Sequence, residues 1–274
     1  MRMSVCRVLI IGVFVASGMA GSARDASAQY RPPSGPVIGE DYHIEASLGW
    51  WNADPSLVVN STALGIIGSD VDLVDDLGIV KKRLRQFDVT LRPGRKHKFR
   101  FEYLPISYDA DAVLRRSFIF NGQRYNIGLP VQTTAGFETY RYGYEYDFVS
   151  MKRGYAGVML DLKYTNVDVD LNSPVGHEFT SAAAPIPTIG FTGRGYVAPT
   201  VSVTAEFSFM RVPEKFRNTF DGTYTDFNLY GTFNVNRYVG GQVGFRTIDL
   251  FYDADNDTGT LKFKGLYVGG VVRY

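Results

Sequence analysis

Histidine chemistry in this 274-residue chain must use His43, His97 or His177, because there are no others. His177 has the most suggestive company, with Glu178 beside it and Ser173 and Ser181 nearby, the residue types of a hydrolytic serine–histidine–carboxylate set. Two acidic patches invite a metal reading. Asp253-Ala254-Asp255-Asn256-Asp257 opens like a calcium-binding loop, but Thr258 stands where glycine is needed and Lys264 where the bidentate glutamate belongs. Asp70, Asp72, Asp75 and Asp76 have no ligand spacing, so both patches read as solvated loops, without cofactor or metal. The largest polar constellation is a set of charges at alternate chain positions. Its acids are Glu45, Asp88, Glu102, Glu145, Asp147, Asp161, Glu206 and Asp226; its bases are Arg100, Arg141, Lys163, Arg194, Arg246 and Arg273. Similar numbers of both signs suit mutual ion pairing, whereas a selective ion path would carry an excess of one sign.

Those charges alternate with apolar residues at period two, the signature of strands with two unlike faces. From Gly136 to Phe148, Tyr140, Tyr142, Tyr144, Tyr146 and Phe148 share one face while Arg141, Glu145 and Asp147 share the other. The split recurs over 155–165, with Val158, Leu160, Leu162 and Tyr164 on the apolar face, and over 200–212, with Val201, Val203, Phe207 and Phe209. Weaker examples cover 42–52, 83–92, 97–108, 186–196, 223–235 and 238–250. The last strand, from about Leu261, places Leu266, Val268, Gly270, Val272 and Tyr274 on one face and ends on an aromatic.

Connections alternate in length. Short turns fall at 92–96, 150–154, 197–200 and 234–237. Longer segments fall at about 53–81, 109–135, 168–185, 212–222 and 252–260. The chain is rich in aromatics, with 18 Tyr and 19 Phe, yet its mean hydropathy is only −0.10. That combination fits strands apolar outside and polar inside, closed into a barrel so that no backbone edge faces lipid. The expected fold class is all-β, a transmembrane up-and-down antiparallel β-barrel of about ten strands. Eight remains open if two weak strands are misread, and twelve if the hairpin Phe118–Tyr125 enters the membrane. We read that hairpin, with its Asn121-Gly122 turn, as standing above the membrane.

Arg2 and Arg7 precede an apolar run from Val8 to Ala20, and Ala26-Ser27-Ala28 has the small-x-small form of a signal-peptidase site, which assigns residues 1–28 to a cleaved signal peptide. Residues 29–40, with Pro32, Pro33 and Pro36, read as a flexible periplasmic lead-in, and 41–274 as the barrel. Removing 1–28 leaves 26 basic and 27 acidic residues and no cysteine, which excludes a disulfide framework and any basic excess for nucleic acid.

Short periplasmic turns, longer external loops and an aromatic terminus at Tyr274 resemble the small bacterial outer-membrane barrels of the OmpA-barrel, OmpX and OmpW type. The resemblance covers the mature chain and rests on architecture. It implies insertion by the outer-membrane assembly machinery, for which Leu266, Val268, Gly270, Val272 and Tyr274 form the signal, and a monomeric barrel in contact with outer-membrane lipid. Lys81, Lys82, Arg83 and Arg85, at the external end of the second strand, are expected to meet lipopolysaccharide phosphates. His43 and His97 fall at periplasmic strand ends, the wrong side for the known barrel hydrolases, and His177 reads as a solvated loop residue. Such a barrel is about wide enough for side chains to fill. The expected role is therefore structural or surface-interacting, with a lumen filled by paired charges. The alternative is a narrow porin-like channel, with a barrel hydrolase a distant third.

Overall fold

The structure, a computed structural model, describes residues 36–63, 65–213, 220–254 and 257–274. The signal segment and its cleavage point lie outside them. Ten long strands form the wall: β1 (Ile44–Ser61), β2 (Lys82–Gly94), β3 (His97–Val113), β4 (Pro130–Met151), β5 (Gly154–Ser173), β6 (Gly176–Ala198), β7 (Val201–Arg211), β8 (Phe220–Asn234), β9 (Val239–Ala254) and β10 (Asp257–Arg273). Each pairs with its sequence neighbour in antiparallel fashion, and β10 pairs back onto β1, with Glu45 opposite Arg273 and Ser61 opposite Asp257. The barrel is therefore closed, with ten strands rather than eight or twelve.

Tight turns after β2, β4, β6 and β8 gather at one end, called the base here; the other end, the crown, carries the two longest connections, 62–81 and 114–129, together with a two-residue turn at 174–175 between β5 and β6. At the base, Tyr274 locks the seam. Its N–H donates to the Ile44 carbonyl at 2.8 Å, and its own carbonyl accepts from the N–H groups of His43 at 2.6 Å and Ile44 at 2.9 Å. Residues 36–40, expected as a flexible lead-in, pack against this end: the Ile38 N–H donates to the Pro199 carbonyl at 2.8 Å, and Glu40 is buried. Deleting Tyr274 removes these seam bonds together with the aromatic terminus. The folded, heat-modifiable band of the deletion variant should fall well below wild type; wild-type levels would refute a role for this residue in closing or assembling the barrel.

Most of the segments expected as long external loops are strand. β1 continues to Ser61, β3 to Val113 and β5 to Ser173, while β4 begins at Pro130 and β6 at Gly176. A change in which face is apolar disguised them. Toward the base, β1 turns Ile44, Leu48 and Trp50 outward and Glu45 inward; toward the crown it turns Trp51, Leu57 and Val59 inward. The same inversion separates Phe99 from Leu104, Ile106 and Tyr108 on β3, Tyr164 from Val167, Val169 and Leu171 on β5, and Phe245 from Ile248 and Leu250 on β9. Where lipid surrounds a wall, the apolar face must look out; where water surrounds it, the apolar face must look in. Strict alternation in one phase ends at that border, so the continuation looks like a loop.

The inward apolar residues of the crown half form one core with Leu73, Leu77 and Ile79 of the segment after β1. The short hairpin at Phe118–Phe120 and Gln123–Tyr125 joins it. Its central residues Asn121 and Gly122 have φ of 49° and 78°, the left-handed pair of a two-residue hairpin turn. Phe118, Phe120 and Tyr125 are buried, and the backbone is tied down by Asn121 N–H to the Ser61 carbonyl at 3.1 Å and Ser69 N–H to the Ile119 carbonyl at 2.8 Å. The hairpin takes no part in the wall and packs into the crown core, because three large rings on one short element gain most by burial.

Candidate functional site

The barrel interior collects the charged residues that sequence alternation singled out. Twelve of the fourteen are buried, and Asp88 and Arg100 are half-buried. Alternation on each strand aims them inward, and the antiparallel registers stack them toward the base in a layered network. Nearest the base, Glu45 on β1 takes both guanidinium nitrogens of Arg194 from β6, at 3.0 and 3.3 Å, and Arg273 from β10 at 2.5 Å. Arg194 is also anchored on the Thr204 hydroxyl at 3.0 Å, and Arg273 on Asn234 at 2.6 Å.

Beside this group, Lys98 on β3 holds Glu145 at 2.7 Å and Asp147 at 3.0 Å, its ammonium 3.0 Å from the Tyr155 ring centroid. Arg100 links Glu145 at 2.8 Å to Glu206 at 2.9 Å. Toward the crown, Arg141 pairs with Asp161 at 2.9 Å and Glu102 at 3.4 Å. Arg246 bridges Glu102 at 2.5 Å and Asp226 at 2.8 Å, and Lys163 reaches the same Asp226 at 2.8 Å. These pairs are desolvated; Glu45 and Asp226 each accept several hydrogen bonds, while Asp147 and Asp161 are held by ion pairing with Lys98 and Arg141, the partnering that lets buried charges be tolerated.

Arg141 directly faces Lys163 in register, a like-charged pair; its carboxylate is the diagonal Asp161. Glu145 and Asp147 turn from β5 to Lys98 on the opposite neighbour. Lys98 was missed by sequence reasoning although it shares the parity of Arg100 and Glu102 and is fully buried. Asp88 has no ion-pair partner among the described residues; the Ser47 hydroxyl donates to it at 3.2 Å. A cavity of about 40 Å³ lies against Asp88, Gln86, Glu102, Glu206 and Asn228. That is room for roughly three waters at 10–15 Å³ each. Charges fill only the base half of the lumen. Trp51, Leu104, Phe137 and Phe263 fill the crown half, which the reading of a wholly charged lumen did not anticipate.

The histidines occupy other surroundings. His97 lies with the outward aromatics at the base, Nδ1 2.7 Å from the Tyr144 hydroxyl. His177 sits on β6 rather than in a loop, its Nε2 2.6 Å from Asp170 Oδ2. Both residues of that pair are exposed on the outward face, and the Ser173 hydroxyl donates to the Gly176 carbonyl at 3.0 Å. Of the acidic patch after β1, Asp76 pairs with Arg116, while Asp72 caps the turn through the N–H groups of Val74 and Asp75. Partial burial opposes ionisation of Asp76, but the Arg116 guanidinium overrides it and holds the carboxyl below the usual range. Among the described residues no group of His, Cys, Asp and Glu could hold a metal; Asp255 and Asn256 of the calcium-like run lie outside them. Lys81, Lys82, Arg83 and Arg85 are all exposed, and Lys82 pairs with Asp109 at 3.2 Å.

A closed, ten-stranded antiparallel wall with polar filling inside and an apolar band outside has a counterpart among solved structures. The outer membrane protease OmpT from Escherichia coli is similar over 88% of this chain and 99% of its own, with a TM-score of 0.58 and 8% identity. The fold is that of an outer-membrane β-barrel. The P. putida toluene transporter TodX (8% identity, 88% of this chain and 93% of that one) and Ail, the attachment invasion locus protein of Yersinia pestis (7% identity, 83% and 99%), are also matched, at TM-scores of 0.37 and 0.35. No family model matches the sequence, and no curated protein does. At 8% identity the likeness to OmpT extends to the fold and not to an activity.

Proposed function

We propose that this chain is a monomeric bacterial outer-membrane barrel with a closed lumen, acting through its surfaces in a structural or surface-interaction role rather than by transport or catalysis. The observation that carries this reading is the double filling of the lumen, an ion-pair network toward the base under an apolar core toward the crown, with the 118–125 hairpin folded into that core. A water-filled channel needs a continuous polar path, and the apolar crown half interrupts one. A non-enzymatic role is supported by the outward placement of the His177–Asp170 pair on the barrel wall.

This reading takes the base as periplasmic and the crown as external, supported by uniformly short turns at the base and the two longest connections, 62–81 and 114–129, at the crown. Planar-bilayer recording with the purified folded barrel provides the test. Wild type should pass no steady current; a large, stable, ion-selective conductance would overturn the closed-lumen reading in favour of a channel.

A further inference from the structure

The apolar-face inversion fixes where the lipid border crosses the wall, and one sector of that border is unusually basic. On β2, outward Arg83 and Arg85 stand immediately crownward of the outward apolar Phe87 and Leu91. On β1, Trp50 faces outward at the same level, opposite Arg85 on one side and Val268 on the other. On β10, outward Lys264 stands immediately crownward of Leu266 and Val268 and lies opposite Asp54. Arg83, Arg85 and Lys264 are exposed, and among the described residues none of them has an ion-pair partner. By contrast, their neighbours Lys82 and Lys262 are committed to Asp109 at 3.2 Å and Asp249 at 3.1 Å.

Three free cations thus sit on two strands, β2 and β10, one on either side of β1; Arg85 lies opposite Trp50 and Lys264 opposite Asp54, four residues further crownward, so the cluster spans on the order of 15 Å. Arg85 lies opposite the interfacial Trp50 that marks the headgroup region, and Arg83 and Lys264 lie just crownward of it, opposite Asn52 and Asp54. We propose that Arg83, Arg85 and Lys264 bind the phosphates of the outer-leaflet glycolipid lipopolysaccharide. The inference rests on the external orientation of the crown given above. Arginine forks match phosphate oxygens bidentately, and the ammonium adds a point charge. The apolar surface below, formed by Phe87, Leu266 and Val268, accepts the acyl chains of the same molecule. This is a narrower and different set from the run Lys81–Arg85, since it drops the paired Lys82 and recruits Lys264 from the far end of the sequence through barrel closure.

The test measures binding of diphosphorylated lipid A to the purified, folded full barrel in neutral detergent, with folding monitored by heat-modifiable migration. Wild type should bind with strong salt dependence, and should bind dephosphorylated lipid A or phosphatidylglycerol more weakly. A cation near an anionic surface is worth about fivefold in affinity, so R83Q/R85Q/K264Q should lose on the order of a hundredfold, whereas Lys82→Gln should change little. Asp54→Asn removes the carboxylate opposite Lys264 and should tighten binding, a gain that misfolding cannot imitate. Near-wild-type lipid A affinity in the triple variant, indifference to phosphate, or weaker binding by Asp54→Asn would each overturn the site. Phosphate-dependent binding through these residues supports it whether or not the barrel conducts, so the site and the closed-lumen reading fail separately.

Discussion

Arg246→Ala is expected to destabilise the folded barrel by about 3 to 5 kcal/mol, the cost of breaking a buried pair from one side. Arg246 joins Glu102 on β3 to Asp226 on β8, so its loss leaves one carboxylate with only Arg141 at 3.4 Å and the other with only Lys163. Both carboxylates are buried, and neither can recover water without opening the wall. Asp88→Asn is the matched contrast. Asp88 has no cationic partner among the described residues, so replacing its charge by an amide that still meets the Ser47 hydroxyl should leave stability unchanged or raise it. Urea unfolding of the two variants in the same detergent measures both effects. Equal, small losses would mean that the lumen network is solvated rather than packed, and would sink the claim that it closes the barrel.

Gly265→Val should prevent closure of the barrel. A Cβ built on Gly265 would stand 1.9 Å from the Asn52 backbone carbonyl oxygen, across the β1–β10 seam. The Gly265 carbonyl also accepts the Trp51 indole N–H at 3.1 Å, so a shift of this strand breaks the anchor of a fully buried ring. Overpacking a side chain usually costs about 1 to 3 kcal/mol. The cost here is larger because the colliding atom is backbone and the seam is what removes the open edge. Gly270→Ala on the same strand meets nothing within 4 Å and should fold normally. Comparable folded yields of the two variants after refolding would contradict the close approach of the seam.

The sequence by itself determined the all-β barrel class, a strand count near ten with eight and twelve left open, the base turns and the outward face of every membrane-level strand. These are local properties: period-two alternation needs only neighbouring residues, and lipid outside a closed wall forces the apolar face outward at each position. It also determined which charges point inward, because parity carries from one residue to the next. Lys98 was recoverable by that same rule.

Only the tertiary structure decided which charges meet. Glu45 and Arg194 are 149 positions apart, and Arg246 finds Glu102 across the lumen; such pairings depend on register, tilt and closure of all ten strands together. The crown half of the wall was equally hidden. There the strands leave lipid for water while the interior stays packed, so the apolar residues change faces between Trp50 and Trp51 and between Phe99 and Leu104. A period-two reading held in one phase stops at that point, because the alternation reports contrast between two environments and not the presence of a strand.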